Sequence, residues 1–360
     1  MLITVLLFFG ILATLILVHE WGHFIVARKA GIRVDEFGFG FPPKLFSMKK
    51  GETTYSMNAI PLGGFVKIYG EEGDGENEPE SFSSKPVSVR MAVVLAGVTM
   101  NFLLAIALLS FGFWYGLPEV IDENSVYQTR DAKVMIMQVA PDSPAAVADI
   151  KIGDAIIGAT FRDTKTDISE VKAAQETISS HKGEEFTLLI QRGSEMMEKT
   201  VTPRKEAPKD QGALGVVLEK TAIVSYPWYR AIEKGVTAAF TMTWVFLTTF
   251  FVIIVHLVRE GKLIADIAGP VGIGALTYQV SQLGLSYIIQ FAAILSINLT
   301  IINALPFPAL DGGRFIFLAV EKIKGSPVSR HYERVVHMAG FAILITLMVV
   351  VTARDIAKLF

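Results

Sequence analysis

The sequence predicts a polytopic α-helical membrane protein carrying a soluble α+β insert, and three observations lead there. Charged residues make up only 19% of the 360 positions while 51% are hydrophobic, against about a quarter charged in soluble domains. Five stretches carry no charge at all, 1–18, 91–118, 236–255, 267–310 and 335–353, and each reaches roughly the 18 residues of a membrane-spanning helix. Between the second and third, residues 119–222 have charges of both signs and short alternating runs. The net charge of −2 with no dense basic tract gives no support for a nucleic-acid partner. The absence of cysteine excludes disulfides, thiolate metal sites and cysteine nucleophiles.

Taken in order, residues 1–27 form the first span. No basic n-region precedes it and no small-x-small cleavage site follows, so it reads as a retained helix rather than a secretory leader. Residues 28–90 are mixed. Phe37-Gly38-Phe39-Gly40-Phe41 and Thr53–Gly70 alternate, with a Gly63-Gly64 break, and read as β-hairpin material. The acidic run Glu71-Glu72-Gly73-Asp74-Gly75-Glu76 reads as a solvated loop. Residues 91–118 form the second span, closed by Pro118. In 119–222, strands are expected at Val134–Val139 and Ile152–Ile157, a small-residue helix start at Ser143-Pro144-Ala145-Ala146, a longer helix over 168–180 and a strand over Glu185–Ile190. This insert resembles a PDZ domain, which implies a groove that takes a peptide by strand addition; a β-rich spacer without a ligand is the other reading. Residues 223–283 are expected at the membrane interface. A third span follows at 284–313, a cytoplasmic loop at 314–334 and a fourth span at 335–354.

The first span holds His19-Glu20-Trp21-Gly22-His23, an H-E-x-x-H pattern. On a helix, positions i and i+4 share a face, so both imidazoles can reach one ion while the offset glutamate approaches the reacting water as general base. Three ionisable groups inside a span point to function. A catalytic zinc usually takes three protein ligands, so a third is missing. Asp311 is the lone carboxylate ending an apolar segment broken by Pro306 and Pro308; His256 and His337 are rivals, each alone in an apolar helix.

These motifs, with Asn303-Ala304-Leu305-Pro306-Phe307-Pro308-Ala309-Leu310-Asp311-Gly312, resemble in order those of the site-2 protease family and its bacterial regulators of sigma-factor pathways. The resemblance covers nearly the whole chain. It implies a zinc-dependent intramembrane endopeptidase with His19, His23 and Asp311 as ligands, Glu20 catalytic, and Asn303, Asn298, Gly63 and Gly64 at the substrate. It implies a membrane-reentrant β region at 28–90 that pairs with an unwound, single-span substrate of anti-sigma-factor or remnant-signal-peptide type. Well-known members carry two PDZ domains; 119–222 has room for one. A catalytically silent PDZ-bearing adaptor is the alternative class, although such chains usually lose a ligand or the glutamate.

Lys and Arg near the span ends (Arg28, Lys29, Arg33; Lys85, Arg90; Arg314, Lys322, Lys324, Arg330, Arg334) place those loops on the cytoplasmic side of an inner membrane. The PDZ-like insert then faces outward. If 236–255 crossed, Asp311 would end on the wrong face, so four spans are expected. Gly269-Pro270-Val271-Gly272-Ile273-Gly274 reads as a tight bend near the substrate entrance.

Overall fold

A computed structural model describes the chain apart from residues 1, 72, 74, 76–77, 122–127, 163, 209–210, 262–267 and 358–360. In chain order the elements are α1 (Leu2–Lys29), β1 (Val34–Lys50), β2 (Thr53–Ile68), α2 (Val87–Tyr115), β3 (Leu117–Val120), β4 (Gln128–Val139), α3 (Pro144–Val147), β5 (Ala155–Phe161), β6 (Thr164–Asp167), α4 (Val171–Ser180), β7 (Phe186–Arg192), β8 (Glu195–Val201), β9 (Val216–Ser225), α5 (Trp228–Glu260), α6 (Pro270–Leu283), α7 (Leu285–Ala304), α8 (Asp311–Lys324) and α9 (Arg330–Ala357). Two compact units result, one of 1–110, 232–278 and 289–360, the other of 111–231 and 279–288.

In the first unit, β1 and β2 fold back on themselves. Residues 34–39 pair on one side with Gly64–Ile68 and on the other with Thr54–Met57, while Phe46–Lys50 also pair with 53–57. Two strands of the chain thus make four paired segments, with Gly64–Ile68 at an edge. The tip is a two-residue turn in which Gly51 takes φ +65, the left-handed value such hairpins favour. Ala27, Ile32, Val34, Ile68, Phe82, Val93, Val94 and Leu318 pack α1, the hairpin, α2 and α8 into one core. Burying one such side chain contributes roughly 1.5–3 kcal/mol.

Glycines set the closest approaches. A Cβ on Gly22 would strike the Ala96 carbonyl, and one on Gly97 would strike both His19 and His23. Small residues there let α1 and α2 come together with the imidazoles between them.

The second unit is a seven-stranded antiparallel sheet of order β3-β9-β4-β5-β7-β8, with β6 on β5. Val134, Ile136, Ile156, Phe186, Leu188, Ile190 and Leu214 fill its core. Ser143 caps α3 by accepting the Ala146 N–H at 3.2 Å. Asp154, 1% exposed on its side chain, is gripped by Arg192 through Nε at 2.7 Å and Nη2 at 2.8 Å. Lys199 first, with Lys151 and Arg192, holds the exposed Asp149 carboxyl down at about 2. The strands and helices expected for the insert all form.

Several boundaries differ from expectation. The second span stops at Tyr115, because Gly116 takes φ +121 and Leu117–Val120 joins β9. The expected third span at 284–313 is helical only to Ala304. Residues 305–310 break it, and Asp311 opens a new helix, α8. Two prolines remove backbone donors here and Ala309 takes φ +75. Gly269–Gly274 is no bend: Pro270 starts α6, where its missing N–H costs nothing. Glu71 is not a freely solvated acid, since it pairs with Arg314. The positions 72, 74 and 76 of the same acidic run, and Lys262, lie outside the described residues. Five described helices, α1, α2, α5, α7 and α9, are long and apolar enough to cross a membrane.

Candidate metal centre

Two segments far apart in the chain, α1 and the start of α8, converge on one point. Asp311 Oδ2 lies 3.2 Å from His19 Nε2 and 3.3 Å from His23 Nε2, and the two Nε2 atoms are 3.3 Å apart. Among the described residues this is the one cluster of three metal-capable side chains. The histidines come together because they are one helical turn apart on α1. Asp311 arrives by a tighter device. The backbone of 305–310 folds on itself through Leu305 to Ile302, Phe307 to Leu305 and Leu310 to Phe307 hydrogen bonds. Gly312 and Gly313 then lie against the carbonyls of Ala304, Leu305 and Phe307, where a Cβ would clash, and Gly340 of α9 cradles Pro308. The Ala309 N–H donates to His337 Nδ1 at 2.8 Å.

The trio fits zinc. Bonds of about 2.0–2.1 Å at tetrahedral angles require donor atoms roughly 3.3–3.4 Å apart, and the three observed separations are 3.2, 3.3 and 3.3 Å. Asp311 Oδ2 is buried without a hydrogen-bond donor, so a cation satisfies an otherwise orphaned lone pair. His23 is oriented from behind, its Nδ1 donating to the Val93 carbonyl at 2.8 Å, which leaves Nε2 its lone pair.

Glu20 lines the same cavity of about 510 Å³, together with Gly64, Phe65, Val66, Arg314 and the trio. A Cβ on Gly64 would come within 3.1 Å of Glu20 Cγ and 2.8 Å of Ile16 Cγ2. The edge segment Gly64–Ile68 therefore runs beside the glutamate. At Gly63 φ is +131 and a Cβ would meet the Phe41 ring at 2.6 Å, so glycine is required there by the hairpin itself. Asn298 and Asn303 sit on α7 and are absent from the cavity lining. The rival ligands go elsewhere. His256 is half-buried, 3.2 Å from Glu260, and His337 lines the cavity but spends Nδ1 on Ala309.

Sequence reasoning missed Asn101, Gly97 and the Arg314–Glu71 pair. Asn101 is fully buried, with Nδ2 3.3 Å from His19 Nδ1. Its one visible signal was being the sole amide side chain in the uncharged run 91–118.

Comparison with known proteins agrees with this chemistry. The profile of peptidase family M50 matches residues 7–347. The regulator of sigma-W protease RasP of Bacillus subtilis is 32% identical over 447 aligned positions, covering 99% of each chain. The zinc metalloprotease RasP of Geobacillus kaustophilus is 31% identical over 449 positions, covering 99% of this chain and 98% of the relative. A zinc metalloprotease RasP of Oceanobacillus iheyensis is 31% identical with 99% of each chain covered. Alignments longer than this chain mean that these relatives carry insertions. With a zinc-shaped trio, five helices apolar enough to cross a membrane and a family match over nearly its whole length, the chain belongs to peptidase family M50, as a zinc metalloprotease of the multi-pass membrane type.

Proposed function

We propose that the protein cleaves single-span membrane proteins within or beside the bilayer, after the substrate helix has unwound and added itself as a strand to Gly64–Ile68. The observation that carries this is the sheet edge beside Glu20 and the trio. A substrate helix has all its backbone groups paired internally. Opening it costs those bonds, and an open edge offers replacements in the same extended geometry that exposes the scissile carbonyl. Zinc, when held by His19, His23 and Asp311, polarises that carbonyl and activates water. Glu20 takes the water's proton and returns it to the leaving amine. The neighbouring edge and Gly64 orient the strand. A substrate contact at Asn303, with Asn298 supporting it, stays part of this proposal, both residues lying on α7.

The same proposal gives four spans in an inner membrane, with α5 held on the outer side. Chain reach supports it. Arg90 at the start of α2 and Arg330 at the start of α9 line one cavity, of about 760 Å³, so both helices leave the same end. Asp355 of α9 is eighteen residues beyond His337, about 27 Å along a helix. It accepts the N–H groups of Gly269 and Gly272 at 2.9 and 2.7 Å, which fixes the start of α6 at that far end. On α5, Gly235 packs on Ser110, also beyond the metal level along α2. A fully crossing α5 would leave Glu260 on the opposite face. The nine residues from there to Gly269 include Lys262 and Asp266. Fully extended they would reach only about 31 Å, hardly more than a hydrocarbon core of about 30 Å, and Lys262 and Asp266 are costly there.

The insert, read as a PDZ domain, would face outward and admit a peptide or trimmed substrate end. β3 ends at Val120 opposite Thr221. Among the described residues no strand therefore covers the outer edge of β9 from Val216 to Glu219, beside α4. The substrate class is the one the motif resemblance implies, an anti-sigma-factor type of membrane protein or a remnant signal peptide, and the Bacillus subtilis relative's name, regulator of sigma-W protease, fits a sigma-factor pathway.

The direct test is incubation of the detergent-purified protein with a single-span reporter. A cut inside the apolar segment, abolished by chelation and restored by zinc, is expected; cleavage confined to soluble flanks would overturn the reading. Topology is checked separately on the cysteine-free background. Arg259→Cys is expected to react with an impermeant maleimide applied from outside the inner membrane, and Lys49→Cys only after permeabilisation. Labelling of Arg259→Cys from the inside alone would restore a fifth crossing.

A further inference from the structure

We propose that Asn101 is a positioning residue for zinc, holding His19 in the ring tautomer that can ligate; the inference rests on the metal reading of the trio. Asn101 is 0% exposed in an apolar helix, where a buried carboxamide costs free energy unless it is used. Its backbone carbonyl accepts the Ser296 hydroxyl of α7 at 2.8 Å, and Ser296 is itself 0% exposed. The side chain is thereby anchored between α1 and α7, with Nδ2 3.3 Å from His19 Nδ1.

A neutral imidazole has one N–H and one lone pair. With Nδ2 turned to the ring, the amide donates to Nδ1, and the ring proton must sit on Nε2. That atom faces Asp311 Oδ2 at 3.2 Å and His23 Nε2 at 3.3 Å, so zinc would be excluded. In this orientation Asn101 Oδ1 is also buried without a partner. A half-turn of the carboxamide exchanges two groups of nearly equal size. Oδ1 then accepts from Nδ1–H, its lone pairs are satisfied, and Nε2 presents its own lone pair to the ion. Val93, on the same helix, does this for His23 with a backbone carbonyl. Both ligating histidines of α1 are thus oriented from α2, one by main chain and one by a side chain that can be substituted.

The test is zinc affinity of the full chain in detergent, by competition with a chromogenic chelator, alongside thermal unfolding of the metal-free protein. Asn101→Leu keeps the branched skeleton and removes the acceptor, and is expected to weaken zinc by about 10–100-fold, as lost outer partners of metal ligands do. Asn101→Asp retains an oxygen acceptor and is expected to bind within a few-fold of the parent. Equal affinity of Asn101→Leu and the parent would overturn the proposal. So would an Asn101→Asp protein that unfolds like the parent yet binds zinc about 10–100-fold more weakly, which also covers the case of Asn101→Leu failing to fold. Should the parent itself bind no zinc, the metal reading falls and takes this inference with it, a result distinct from either variant's.

Discussion

Glu20→Gln is expected to lose peptide-bond cleavage by about 10²–10⁴-fold, the range for removal of a general base, while the protein still binds zinc. Glutamine matches glutamate in volume, so the packing of residue 20 beside Gly64 is kept. None of the three converging donor atoms belongs to residue 20. What disappears is the ability to accept a proton from water and hand it to the amine. Metal content by atomic emission and turnover of a single-span reporter measure the two halves separately. Full turnover in the variant would remove Glu20 from the chemistry, and loss of metal would make its role structural.

Asp311→Ala is expected to lose both zinc and activity, with zinc affinity falling by more than the roughly 100-fold upper range for an outer-sphere partner. Two imidazoles on one helix leave an open half-shell, and no other carboxylate joins the cluster among the described residues. The fold should survive. Asp311 occupies the first turn of α8, where a negative charge is worth about 0.3–1 kcal/mol against the helix dipole, and the 305–310 turn is held by backbone bonds that alanine keeps. The matched readouts are zinc stoichiometry, reporter cleavage and thermal unfolding. Retained zinc would return His337, which lines the cavity, as the third ligand, and the argument for four spans would lose the constraint that Asp311 imposes.

Features without a local signal share a pattern. α5 is expected not to cross, against its composition, and its 33-residue length alone would allow a crossing. The tie from Asp355 to Gly269 and Gly272, between residues more than eighty positions apart, supports the proposed four spans and has no local signal. Asn298 and Asn303 come from the family resemblance, and both sit on α7, which contributes no residue to the cavity lining. Glu71 looked like one acid among several, and its partner Arg314 lies far along the chain.

By itself the sequence determined the elements whose signal is local. Uncharged runs marked the apolar helices, period-two alternation marked the hairpin and the insert's strands, and i, i+4 spacing put His19 and His23 on one face. Asp311 was legible because a single carboxylate after two prolines in an apolar stretch has no ordinary reason to be there. Only the tertiary structure decided how that carboxylate reaches the histidines, that Gly22 and Gly97 make room for two imidazoles between α1 and α2, and that Val93 and Asn101 stand behind them. It also decided which side of the hairpin becomes the edge beside Glu20. Those are contacts between surfaces distant in sequence. A lone glycine or asparagine in an apolar helix carries no periodic mark of the neighbour it will meet, because that neighbour is chosen by packing of whole helices rather than by adjacent residues.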